Sequence, residues 1–248
     1  MRLIAIAALV LGMATMAAAQ DNTQWEYSGK TGPQLWGRMD PSWRACAKGR
    51  EQSPIDIKDA HLNKDLPPIE VHYIAGPITL KNTGKTIVAQ VDPGSYIVIN
   101  GLRYELTGFD FHHPAEHEFR GKFSDMEVHL MHQSADGKQV ILAVRLIENA
   151  GNPNAVLATL WEHLPKFLGK SEKVTDMVSP AGILPADRGY WTYMGSLDTP
   201  PCTEGVRWFV FEQQVSVSRE QLRTFAALYK LNTRPTQDLN HRRIEANE

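Results

Sequence analysis

Three catalytic signatures are missing from this 248-residue chain. It has no G-x-S-x-G elbow, no Walker A loop and no G-x-G-x-x-G segment opening a helix, which removes the chemistries that depend on those turns. Cysteine is scarce, with only Cys46 and Cys202. Two cysteines so far apart are a poor start for a zinc site. They read either as unrelated buried thiols or, as an even count in an exported chain, as a structural disulfide worth roughly 3–5 kcal/mol across so long a loop. A bridge would also remove the free thiol that a cysteine nucleophile needs. Strong charge is lacking too. With 26 Lys and Arg against 28 Asp and Glu, there is no electrostatic case for nucleic acid or an anionic membrane surface as partner. No segment is apolar for long enough to insert in a bilayer as a helix.

What is present begins with a secretory signal. Arg2 supplies a basic start, Leu3 to Met16 an apolar run, and Ala17-Ala18-Ala19 a small-residue cleavage site before Gln20. Residues 1–19 are therefore expected to be removed and the protein to be periplasmic or secreted. Losing Arg2 changes the balance from 26 − 28 = −2 to 25 − 28 = −3. Residues 20–248 can form one substantial core, and no low-complexity linker or internal repeat divides them, so a single domain is expected. Short runs rich in β-branched and aromatic residues predict strands at Thr86–Val91, Ser95–Ile99, Arg103–His113, Glu127–Gln133, Val140–Ile147, Tyr190–Met194 and Val206–Phe211. Asn100-Gly101 between two of them is a hairpin signal. Helices are predicted from Asn154 to Leu168 and from Ser218, where Gln221 completes a capping box. Strands and helices do not alternate, which disfavours a doubly wound sheet; the fold class is a β-dominated α+β domain with peripheral helices.

The stretch with most chemistry is Phe109-Asp110-Phe111-His112-His113-Pro114-Ala115-Glu116-His117, followed by Met126-Glu127-Val128-His129-Leu130. Residues two apart on a strand share a face. Asp110 and His112 point one way on the first strand, and Glu127, His129 and Met131 share a face on the second. Two neutral imidazoles and a carboxylate can hold Zn²⁺ at about 2.0–2.2 Å. These motifs resemble those of the α-carbonic anhydrases. The resemblance extends from Trp25-Glu26-Tyr27 to Asn240-His241-Arg242 and includes Gln52-Ser53-Pro54-Ile55-Asp56-Ile57 and Gly195-Ser196-Leu197-x-Thr199-Pro200-Pro201-Cys202. It implies a largely antiparallel, twisted ten-stranded sheet, a zinc ion at the base of a conical cleft, a Cys46–Cys202 disulfide and CO2 hydration.

Carried over position by position, the resemblance makes His112 and His129 the second and third zinc ligands, and puts Asp110 where the family has its first histidine. A carboxylate there partly neutralises the ion, so bound water should be less acidic. Gly108 stands where a glutamine orients that first ligand, whereas Glu127, which orients the third, is kept. Asp198 replaces a threonine that hands a proton to Glu116. Two close carboxylates cannot both stay charged, so Asp198 is expected either to share a proton with Glu116 or to reach the metal itself. Lys85 replaces the proton-shuttling histidine, and its ordinary pKa is too high for that task at neutral pH. Val88, Met131, Val144, Leu197, Thr199 and Trp208 are expected to line the substrate pocket.

Three functions follow as expectations. The one favoured by these departures is a lyase or hydratase using Asp198 and Glu116 on another small substrate, with CO2 hydration reduced or lost. The alternatives are a zinc carbonic anhydrase and a non-catalytic binding protein of the same fold. An oxygen-richer ligand set could also favour manganese or iron over zinc. The sequence does not show the oligomeric state.

Overall fold

The structure is a computed structural model that describes residues 24–149 and 153–247; the signal segment lies outside them. One sheet of thirteen strands forms the body. Its path runs from Ser171–Val178 through Gly76–Asn82, Ile87–Val91, Leu102–His112, Met126–Ser134, Gln139–Glu148, Glu204–Phe211 and Tyr190–Ser196 to the short Glu245–Ala246 and His61–Leu62. Most neighbours are antiparallel, but Gln139–Glu148 runs parallel to Glu204–Phe211 and to Val215–Val217. The sheet is thus mixed, and larger than the ten strands that the family resemblance implied. The extra members are short edge pieces, and the sequence pattern did not mark Gly76–Asn82 or Ser171–Val178. Only Val174 and Val178 of the latter are buried, so its side chains carry no clean alternation to be read.

Local chemistry accounts for the elements that were anticipated. Asn100 and Gly101 both have positive φ, 52° and 72°, and Ile99 pairs with Leu102 across them, as a tight primed turn requires. Ser218 and Gln221 form a complete capping box at the head of Arg219–Leu228. The first predicted helix is shorter than its apolar stripe suggested, covering only Ala155–Glu162. Pro165 disfavours helical backbone at Leu164, and the chain leaves the helix before it.

The pleat separates two chemistries. Phe109, Phe111, Val128, Leu130 and Leu142 enter the main apolar core behind the sheet, with the two helices packed on that side through Leu157, Leu160 and Phe225. The opposite face of the same strands carries Asp110, His112, Glu127 and His129. The position of the functional cluster is therefore a direct consequence of the two-residue period on two paired strands.

Cys46 and Cys202 are bonded across a separation of 156 residues. Closing so long a loop restricts the unfolded chain, so replacing both cysteines by serine should cost roughly 4–5 kcal/mol of stability. Denaturant midpoints of the oxidised protein and the double serine variant measure this directly; equal midpoints would show that the bridge is energetically idle.

Candidate metal centre

His129 lies opposite Asp110, and Glu127 opposite His112, in the antiparallel register of Leu102–His112 with Met126–Ser134. The register slips between Met131 and His132, leaving Thr107 as an extra residue in a bulge beside the site. Gly108, next to it, has φ +154°, and a Cβ there would meet the Ala89 carbonyl oxygen at 2.8 Å. The position expected to carry an orienting glutamine in relatives is thus one where this backbone accepts only glycine. Val88 of the neighbouring strand pairs with Asp110 on its other side.

Each imidazole is aimed by an acceptor behind it. His112 Nδ1 donates to the Asn232 carbonyl at 2.9 Å, which leaves Nε2 facing the cluster. His129 Nε2 donates to Glu127 Oε1 at 2.9 Å, leaving Nδ1. Glu127 also accepts from His117 Nδ1 at 2.6 Å and from the backbone amides of Glu116 and His117. Burial alone would raise its pKa, but the His117 and His129 contacts outweigh burial and hold it well below the usual carboxylate range. An ionised Glu127 is what a ligand histidine needs to keep one tautomer.

The free nitrogens face two carboxylates. Asp110 Oδ1 is 3.3 Å from His112 Nε2. Asp198 Oδ2 is 3.2 Å from His129 Nδ1 and 3.6 Å from His112 Nε2. Donors at about 2.0–2.2 Å from one tetrahedral ion lie about 3.3–3.6 Å from each other, so the spacings of His112, His129 and Asp198 fit a single metal, with Glu116 in the same cluster; Asp110 touches this cluster only through His112. Asp110 Oδ1 and His112 Nε2 are buried yet have no hydrogen-bond partner, as expected of atoms whose lone pairs converge on an ion instead of on each other. The residues present fit a zinc ion.

Glu116 is fully buried, and its Oε1 accepts from the Arg234 amide at 2.7 Å. Burial first, and then the negative charge of Asp198, push its pKa well up, so it is the protonated member of the pair. Asp198 is the ionised one. Burial would raise it, but His129 and His112 hold it below the usual carboxylate range.

The chain matches known proteins along most of its length. The family model for eukaryotic-type carbonic anhydrases covers residues 31–248. The chain belongs to the α-carbonic anhydrase family. A carbonic anhydrase of Pectobacterium carotovorum is 37% identical over 238 residues, covering 96% of each chain. The α-carbonic anhydrase of Thermovibrio ammonificans, solved with the inhibitor sulfanilamide, superposes with a TM-score of 0.87 at 38% identity, covering 90% of this chain and 99% of that one. Dioscorin DB3S of Dioscorea polystachya, 31% identical, covers 92% of this chain and 88% of its own.

One sequence-based assignment needs correction. Val144 does not line the site, because it pairs with Val128 and lies in the core behind the sheet. The residues on the site's face are Ile141, opposite Met131, and Ala143, opposite His129. Val144 was carried over by resemblance inside a run, Val140 to Val144, that is apolar on both faces, where a slip by an odd number of residues changes the face. Met131, Ile141, Leu197 and Trp208 pack together as one apolar wall, and Thr199 sits in the adjoining turn, its carbonyl accepting from the Cys202 amide at 2.8 Å. The Lys85 Nζ pairs with Glu26 Oε1 at 2.5 Å and lies 5.3 Å from the centre of the Trp25 ring.

Asn232 and Arg234 escaped the sequence reading. The Asn232 side chain also donates to the carbonyls of Phe111 and Lys85 and accepts from the His113 amide, tying a distant loop to the ligand strand. Nothing local in sequence announces a contact across 120 residues.

Proposed function

We propose that the protein is an exported, periplasmic metal-dependent lyase that hydrates CO2 slowly. The observation that carries this is a donor cluster fit for zinc beside an apolar wall, in a chain related over almost its whole length to proteins named carbonic anhydrase. The expectation of a different small substrate gives way: those relatives support CO2 chemistry better than a rebuilt acid/base site.

Zinc held by Asp110, His112 and His129 would supply a Lewis acid that lowers the pKa of water. The chain's own groups do the rest. Glu127 and the Asn232 carbonyl keep two imidazole nitrogens turned to the site. Glu116 is the protonated and Asp198 the ionised member of a buried pair, with the Arg234 amide holding Glu116 Oε1. Met131, Ile141, Leu197 and Trp208 offer an apolar molecule a surface without competing hydrogen bonds; the Trp208 Nε1–H is already donated to the Ser196 carbonyl at 2.9 Å. Lys85, where relatives are expected to carry a shuttling histidine, is held in a pair with Glu26.

Stopped-flow CO2 hydration by the zinc-loaded mature protein should show a slow rate that a chelator abolishes. A rate indistinguishable from the uncatalysed reaction, with one zinc bound, would remove this function. It would leave a second reading, a metal-holding protein without turnover, which the position of Asp198 Oδ2 between the two donor nitrogens favours.

A further inference from the structure

We infer that Asp198 is a fourth metal ligand, so that Asp110, His112, His129 and Asp198 close the site as a set of two nitrogens and two carboxylate oxygens. The inference rests on the metal-binding reading above and deepens it. Asp198 Oδ2 lies within 3.6 Å of both nitrogens left free by their acceptors, and its spacing to each matches that of two donors sharing one ion. A simple ion pair would place one carboxylate oxygen on the His112 Nε2–H direction. Instead Nε2 has two carboxylate oxygens within 3.6 Å and a hydrogen bond to neither.

The chain holds Asp198 there from both sides. The Leu197 amide donates to the Thr203 carbonyl at 2.9 Å, and the Cys202 amide to the Thr199 carbonyl at 2.8 Å. The Cys46–Cys202 bridge pins the end of the same turn. The side chain is nine-tenths buried, so leaving the ion would bring the carboxylate no full hydration in exchange. With Asp110 as the second carboxylate, the two would offset the ion's double charge, and four protein donors would leave no position for solvent in a four-coordinate zinc site.

The Co²⁺-loaded protein tests this, because its visible spectrum reports the ion's ligands independently of turnover. The wild-type spectrum should be insensitive to added azide and constant from about pH 6 to about pH 9, since no titrating solvent ligand is present. Asp198→Ala should respond to both. Asp198→Asn should weaken zinc binding by about tenfold or more in chelator competition, as loss of a charged donor requires. A wild-type spectrum that azide shifts as it shifts Asp198→Ala would overturn the assignment, and this arm needs no variant to fold differently. Failure of the CO2 reading looks different: Asp198→Ala would then bind azide but hydrate no CO2.

Discussion

Changing Asp110→His and Asp198→Thr together should raise CO2 hydration by at least about a hundredfold, equivalent to about 2.7 kcal/mol of barrier. Both replacements act on the same quantity. Each carboxylate beside the metal offsets part of its charge and with it the acidification of water. Restoring a neutral imidazole at 110 removes one, and threonine at 198 removes the other while supplying a hydroxyl that can donate where ionised Asp198 cannot. Asp110 is partly exposed to the cleft and flanked by Val88 and His129, so a larger ring has room. The gain should stop short of a fully efficient enzyme for two reasons. The new imidazole's far nitrogen finds no side chain at Gly108, and adding Gly108→Gln would not help, since φ +154° and the Ala89 carbonyl at 2.8 Å refuse a Cβ. Lys85 also stays paired to Glu26. Initial rates of the two single variants and the double at equal zinc occupancy measure the effect. A folded, zinc-loaded double variant no faster than wild type would show that these carboxylates do not limit the reaction.

The strand carrying Asp110 and His112 was legible because strand geometry obeys a period of two. From Asp110, His112, Glu127 and His129 alone, one could place all four side chains on one face. Val144 was placed by the family resemblance and not by this rule, and in the apolar run Val140 to Val144 only the observed partner, Val128, settles which way it points. Asp198 was legible as a departure, but which neighbours its carboxylate meets, His112 and His129 among them, is set by the fold and not by any pattern. Gly108 read as a missing side chain. The structure shows instead a bulge that needs glycine, because the extra residue Thr107 and the close strand of Ala89 are features of the paired backbone. Asn232 and Arg234 could not be read at all, since the groups they turn on His112 and Glu116 are a main-chain carbonyl and amide, which every residue has, and the Asn232 side-chain bonds reach residues more than a hundred positions away.

Zinc affinity should fall about ten-thousandfold between pH 8 and pH 6. In the metal-free protein burial would lower the pKa of both histidines, but the surrounding carboxylates outweigh it. Carboxylates facing the site, Asp110 among them, raise His112 to about 9, and Asp198 and Glu127 raise His129 to about 10. Both imidazoles are therefore protonated across this range, and an incoming ion must displace two protons, costing about tenfold per proton per pH unit. The sign of the stability effect is opposite in the two forms. Without metal, raised histidine pKa values contribute stability that is fully present below the unfolded value near 6.5 and is lost as pH rises through about 9 to 10. With metal, stability should instead grow with pH as proton competition fades. Chelator competition at several pH values, with thermal unfolding of the metal-free and zinc-loaded protein alongside, checks both. A slope near zero in the affinity plot would mean that the histidines are already neutral before the ion arrives, and that the carboxylates facing them do not set the charge of the empty site.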